Sequence, residues 1–380
     1  MAKSSRTRIQ PLDYRQEEVG RIMERWRASE SCSLVGVGSI GKSNLMQHLS
    51  NAQVQQAYMK ETNIEQFRAI IIDPSMLGPI PRNHDDAEQI GSWVGYELMM
   101  HRLFLAFYQS DALSEKEMAR FAEVYETLQD GSNPLYAYMG LRYFELGLDI
   151  LMNKGIQIVF MFDEFEEMLR NLPIKFFLTL RGLRDANKRQ LSYLTFTRTP
   201  LASVIEKENI DALQIEEFIE LFTDNVFFIG PYNARDAQRM FDDLCRRNHK
   251  SYDEYVKDFL VWSTGGFAGL LRASFRMLDM MSELNLSSVM TNGPALAKEL
   301  SKKQSVQTEC KTIWLSLSDS EQYVVRAAAG LVNFHRDTRN DQAVEYLVRK
   351  QLLRSDNGKL SIQPPLFHYY VLHHLGSVSG

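Results

Sequence analysis

Gly36-Val37-Gly38-Ser39-Ile40-Gly41-Lys42-Ser43 is a match to G-x-x-x-x-G-K-[ST], and its setting gives the pattern meaning. Ser33 to Val37 is a short, mostly apolar run that reads as a buried strand. Leu45, Met46 and Leu49 then recur at helical spacing. In a strand, glycine loop and helix of this kind, the glycines let backbone N–H groups turn inward around phosphates. The helix N-terminus adds partial positive charge. The candidate phosphate-binding residues are therefore Gly36, Gly38, Ser39, Ile40, Gly41, Lys42, Ser43 and Asn44. Lys42 would reach the β- and γ-phosphates, and the Ser43 hydroxyl would sit on Mg²⁺. The plainer alternative is a glycine-rich turn with no ligand.

A loop of this kind needs an acidic site at the end of another core strand. Ile156 to Phe162 is almost wholly apolar, as a central parallel strand covered on both faces should be, and it ends in Asp163-Glu164. Asp163 would hold the Mg²⁺ and Glu164 would polarise the attacking water. The competing reading makes Asp163 the cap of the helix that follows, Phe165 to Arg170. Further strands are predicted at Phe67 to Ile72, Leu191 to Phe196 and Val226 to Ile229. Strands alternating with helices predict a five-stranded parallel sheet in an α/β core. Residues 87–152 form a helical elaboration whose apolar positions (Trp93, Leu98, Leu103, Phe107, Leu141, Phe144, Leu148, Leu151) read as core rather than a cofactor box.

The fourth strand runs into Thr197-Arg198, at the sheet end where ligands of open α/β sheets bind. Arg198 there would report the γ-phosphate, or else it is a solvated loop arginine. Asn187-Lys188 is followed by Arg189-Gln190, so no guanine-reading N-K-x-D is present and ATP or ADP is the expected nucleotide.

Past residue 230 the chain reads as helical: Ala234 to Arg246, Tyr252 to Trp262, and Gly266 to about Leu284, a small lid. Gly265-Gly266 opens the last of these helices, either for a close approach by a ligand or backbone or as a plain turn. From about residue 305 the pattern changes. Helices are predicted at Val306 to Leu317, after a Ser318/Glu321 capping box, at Gln342 to Lys350, and at Leu366 to Leu375. A hairpin turning at Asp356-Asn357-Gly358 completes the pattern of a winged helix. Arg349, Lys350, Arg354 and Lys359 lie where a DNA reader carries phosphate contacts, and a solvated surface carries the same charges. The expected domains are a core at 1–230, a helical lid at 231–304 and the winged helix at 305–380.

Composition bounds these readings. The 380 residues are 44% hydrophobic and 24% charged, with 21 Gly and 11 Pro, which excludes collagen-like or wholly disordered classes. Lys and Arg total 43 against 48 Asp and Glu, a net charge of −5, so the chain as a whole is no electrostatic glove for nucleic acid. Cys32, Cys245 and Cys310 are too scattered for a disulfide framework or a zinc knuckle and read as reduced thiols. The basic first ten residues have no apolar run behind them, and runs such as Ile158 to Phe162 fall far short of the ~20 residues of a membrane span. A cytoplasmic location without membrane partners is expected.

Taken together, the loop, Asp163-Glu164-Phe165-Glu166, Thr197-Arg198, Gly265-Gly266 and the segment after residue 304 resemble the STAND-class P-loop ATPases, in the bacterial and archaeal branch close to the Orc/Cdc6-type AAA+ proteins. Leu12 to Glu18 looks like the family's GRExE element, with Arg15 and Glu18 kept and Tyr14 where glycine is usual; the likeness makes Arg15 a nucleotide contact. Gly265-Gly266-Phe267-Ala268 lacks the proline usually set against adenine. His368 lies near the place where related proteins put a histidine on the ADP phosphates. The resemblance implies a slow regulatory ATPase in which ADP-to-ATP exchange releases the winged helix and allows homo-oligomerisation, acting on a separately encoded protein partner or effector. The alternative it implies is an initiator-like or transposition-type AAA+ ATPase that grips DNA through the winged helix.

Overall fold

The computed structural model describes residues 10–60, 66–80, 85–108, 110–278, 289–356 and 359–375. Most of the basic N-terminal segment, the lid helix's expected extension toward Leu284, and the Asn357-Gly358 turn lie outside the described residues.

The strands are β1 (Cys32–Val35), β2 (Phe67–Ile72), β3 (Gln157–Phe162), β4 (Leu191–Thr197) and β5 (Val226–Phe228). They form one parallel sheet in the order β2-β3-β4-β1-β5. The register pairs Ile72 with Phe162 and Phe162 with Thr195, so the residues after β3 and β4 leave the sheet together at its carboxyl end. All six residues of β3 and all seven of β4 are buried, which is why β3 reads as an almost continuous apolar run and not as an alternating one.

Around these strands run α1 (Gln16–Arg27), α2 (Lys42–Ser50), α3 (Ala52–Met59), α4 (Ala87–Phe107), α5 (Glu115–Gln129), α6 (Tyr136–Met152), α7 (Phe165–Asn171), α8 (Ile174–Ala186), α9 (Leu201–Lys207) and α10 (Ala212–Ile219). The elaboration is the three helices α4, α5 and α6. Leu98, Leu103, Phe107, Phe144, Leu148 and Leu151 are buried in it, and Phe144 meets Tyr96 and Phe160, so the aromatic stripe is core. Helix α5 starts at a capping box in which Ser114 and Glu117 satisfy each other's backbone N–H groups.

The rest comprises α11 (Ala234–Asn248), α12 (Glu254–Thr264), α13 (Ala268–Leu278), α14 (Val289–Ser301), α15 (Gln304–Leu315), α16 (Asp319–Ala328), α17 (Thr338–Arg349), the antiparallel pair β6 (Leu353–Asp356) and β7 (Lys359–Ile362), and α18 (Pro365–His374). The third C-terminal helix starts earlier than its apolar pattern suggested, at the Asp337 N-cap, whose carboxylate accepts from the Asn340 N–H at 2.7 Å. Gly265-Gly266 ends α12 and does not open the next helix. Both residues are left-handed (φ 57° and 78°), the conformation of a helix C-cap.

By packing, the chain divides into two compact units, Met1–Leu34 with Asn44–Phe227, and Val35–Ser43 with Phe228–Gly380. The glycine loop thus belongs with the C-terminal half. No helix among the described residues is long and apolar enough to cross a membrane.

Candidate functional site

The loop leaves β1 buried through Val37, turns through Ser39 (φ 65°) and Gly41 (φ 90°), and enters α2 at Lys42. Gly41 needs to be glycine on two counts. Its φ is left-handed, and a Cβ there would stand 2.7 Å from the Tyr232 hydroxyl. Ile40 is buried, Ser43 exposed, and Asn44 half-buried, while the Lys42 Nζ is shielded from solvent. Helix α13 supports the loop through the backbone: the Gly269 N–H donates to the Ser39 carbonyl at 2.9 Å. Gly266 is where the turn after α12 meets the segment between β5 and α11. Its carbonyl accepts from the Tyr232 N–H at 3.0 Å, and a Cβ would collide with the Tyr232 carbonyl oxygen. Gly266 therefore serves a close backbone approach, while Gly265 is the left-handed C-cap of α12.

Helix α15 also reaches this loop, which its sequence did not announce. The Gly38 N–H donates to the Ser316 hydroxyl at 3.1 Å, and the Ser39 hydroxyl donates to the Glu309 carboxylate. A Cβ on Gly38 would lie 2.6 Å from the Thr312 methyl.

The acidic site is assembled in the other unit, at the carboxyl end of β3 and β4. Asp163 accepts from the Glu164 N–H at 2.9 Å. Glu164, left-handed at φ 40°, occupies the N-cap of α7, and its carboxylate makes no capping bond. The Glu164 carboxylate pairs with the Arg198 guanidinium at 3.3 Å, both about half exposed, and the Arg198 N–H donates to Glu166 at 2.5 Å. The structure thus brings Arg198 directly onto the candidate water-activating carboxylate. Glu166 was visible in the sequence but had no assigned partner. Thr197 is fully buried, and its hydroxyl makes no hydrogen bond among the described residues. An orphaned buried hydroxyl costs about 1–3 kcal/mol, and its place at a strand's carboxyl end fits a bound polar ligand.

Arg15 is 1% exposed, left-handed at φ 45°, and pairs with Glu18 at 3.0 Å at the start of α1. Tyr14 packs edge-on against His48 of α2, with ring centroids 5.2 Å apart. The tyrosine that replaces the usual glycine is thus a core contact. His368, in the first turn of α18, stacks on Tyr369, and burial pushes its imidazole pKa below the ordinary value.

One member of the basic cluster is buried, and two others are paired at the surface. Lys350 is 0% exposed and pairs with Glu321, itself 1% exposed. Arg349 bonds Glu345 at 2.9 Å and lies over the Phe228 ring, and Arg354 bonds Asp356 at 3.0 Å. Lys350 is therefore corrected from a surface phosphate contact to a buried ion-pair partner.

With this geometry in place the fold can be compared with known structures. The ORC2 protein of Aeropyrum pernix, solved in ADPNP-ADP complexes, aligns over 100% of this chain and 99% of its own at 13% identity and TM-score 0.51. The Walker-type ATPase of Pyrococcus abyssi aligns over 96% and 99% at 14% identity and TM-score 0.50. The chain shares the fold of these two proteins, a five-stranded parallel α/β sheet flanked by helices. No protein-family model and no curated protein matches the sequence.

The residues present fit the ligands such a fold implies. Ser43, at the head of α2, and Asp163, after β3, each carry an oxygen of the kind that Mg²⁺ takes; this hard cation typically binds one or two protein oxygens and completes its shell with phosphate oxygens and water. Bound Mg²⁺ would neutralise charge developing on the phosphates. The loop N–H groups and Lys42 are of the kind that would cradle phosphates, and the Glu164 carboxylate of the kind that would orient water.

Proposed function

We propose that the chain is an Orc/Cdc6-like, initiator-type AAA+ ATPase. It binds ATP with Mg²⁺ at Gly36, Gly38, Ser39, Ile40, Gly41, Lys42, Ser43 and Asn44, and hydrolyses it slowly using Glu164. Thr197 and Arg198 read the γ-phosphate, and Arg15 approaches the nucleotide from the N-terminal side. Residues 231–304 act as the lid and 305–380 as a winged helix that engages duplex DNA in a cytoplasmic, nucleotide-dependent oligomer. The observation that carries the reading is the glycine loop between β1 and α2, in a fold that aligns end to end with the ORC2 protein in its ADPNP-ADP complexes. With Lys350 buried, the DNA contacts fall to the exposed Arg336, Arg339 and Lys359, around the start of α17 and on the hairpin.

A second reading, a regulatory switch acting on a separately encoded effector, is favoured by one specific feature: α15 of the C-terminal half is engaged with the loop through Glu309 and Ser316. Duplex-DNA binding followed by fluorescence anisotropy, with and without ATP, separates the two. The initiator reading expects binding that needs ATP, weakens steeply between about 50 and about 200 mM salt, and drops in Arg339→Ala. Absence of binding at low salt with either nucleotide rejects it in favour of the switch.

A further inference from the structure

Glu309, Thr312 and Ser316 recur at three- and four-residue spacing, so they share one face of α15 and its C-cap. All three meet the glycine loop, each at its own contact. The half-buried Glu309 carboxylate takes the Ser39 hydroxyl hydrogen, and Ser316 takes the Gly38 N–H at 3.1 Å. Thr312 lies so close that a Cβ on Gly38 would stand 2.6 Å from its methyl and 2.9 Å from its carbonyl oxygen. Gly269 of the lid is glycine for the same reason: a Cβ there would collide with the Glu309 carboxylate. Two glycines and a left-handed serine thus let one helix face seat on the loop.

The chemistry of this seat is unusual. A loop that presents N–H groups and a lysine suits an anion, and the group its own chain brings to it is a carboxylate. We propose that Glu309 is an internal competitor for the nucleotide: α15 seated on the loop and a polyphosphate held in it disfavour each other. The inference rests on the loop being the nucleotide site. Like charges in a partly desolvated setting repel more strongly than in water. A polyphosphate also competes for the Gly38 N–H that Ser316 now holds. Coupling of this kind is reciprocal, so whatever seats α15 weakens nucleotide binding, and nucleotide loosens α15 by the same factor.

Glu309→Gln removes the charge and keeps an acceptor for Ser39, and Ser316→Ala removes the neutral contact. The test titrates wild type and both variants with a fluorescent ATP analogue and Mg²⁺. Hydrogen exchange of residues 36–43 and of α15 is measured alongside, with and without nucleotide. Glu309→Gln should bind roughly 5- to 150-fold tighter, the usual span of coupling between sites. ATP should speed exchange in α15 of the wild type, and Ser316→Ala should speed exchange at Gly38 in nucleotide-free protein. Equal or weaker binding by Glu309→Gln, with wild type binding normally, overturns the competitor while leaving the nucleotide site standing. If no form binds nucleotide, yet Ser316→Ala still exposes Gly38, the contact is real, the nucleotide site is wrong, and the competitor falls with it.

Discussion

Lys350→Met probes the least negotiable charge in the C-terminal half. Lys350 and Glu321 are 0% and 1% exposed, and one Glu321 oxygen takes the ammonium while the other takes the Ser318 N–H at 2.9 Å in the capping box of α16. Removing one partner of a buried pair strands the other charge, a loss of about 3–5 kcal/mol. An exposed pair contributes only about 0–1 kcal/mol. The double variant Glu321→Leu/Lys350→Met removes both charges and forfeits the cap, itself about 1 kcal/mol, so it should be clearly more stable than Lys350→Met alone. Denaturant unfolding followed by tryptophan fluorescence reads both, with an unchanged m-value required for the comparison. A single-variant loss below about 1 kcal/mol, or a double variant as damaged as the single, refutes the burial argument. It would return Lys350 to the surface, where a phosphate could reach it.

Four other outcomes follow from the structure. Glu164→Gln should bind ATP as wild type does, because Asp163 still holds the metal, while turnover falls by roughly 100-fold or more; a steady-state phosphate-release assay checks this. Arg198→Ala should bind ADP normally but lose any ATP-dependent change of oligomer or shape, read by size-exclusion chromatography with light scattering. A charge-assisted contact of about 1.5–3 kcal/mol shifts a two-state balance roughly 10- to 150-fold. Burial pushes the Cys32 thiol up to about 12 and raises Cys310 as well, so a thiol reagent at pH 8 should label Cys245 first and all three only on unfolding. A thiol held protonated by the fold contributes stability that is full below its unfolded value near 9 and is lost as pH climbs toward 12, which alkaline unfolding measures.

The loop and β3 were legible because their signals are local. A glycine pattern between an apolar run and a helical period, and an apolar strand ending in Asp163-Glu164, need no distant partner to be read. The C-terminal contacts could not be read in this way. Glu309 and Ser39 are 270 residues apart, and nothing in the period of α15 distinguishes a polar stripe facing a loop from one facing water. Lys350 sits in a basic run that reads as surface, and its burial is decided by Glu321, 29 residues upstream. Gly265-Gly266 was misplaced by two residues because glycines punctuate both helix starts and stops, and only the left-handed φ distinguishes the stop. One signal was available and unused: Asp337 three residues before Asn340 is an N-cap pattern that places the start of α17.

The central claim is that Gly36 to Ser43 is a nucleotide site, and isothermal titration of Mg·ATP into wild type and Lys42→Ala tests it most directly. The account predicts saturable binding near one nucleotide per wild-type chain and none to the variant, which has lost the cation meant for the β- and γ-phosphates. Equal affinity in the two proteins, or no binding to wild type, would contradict it.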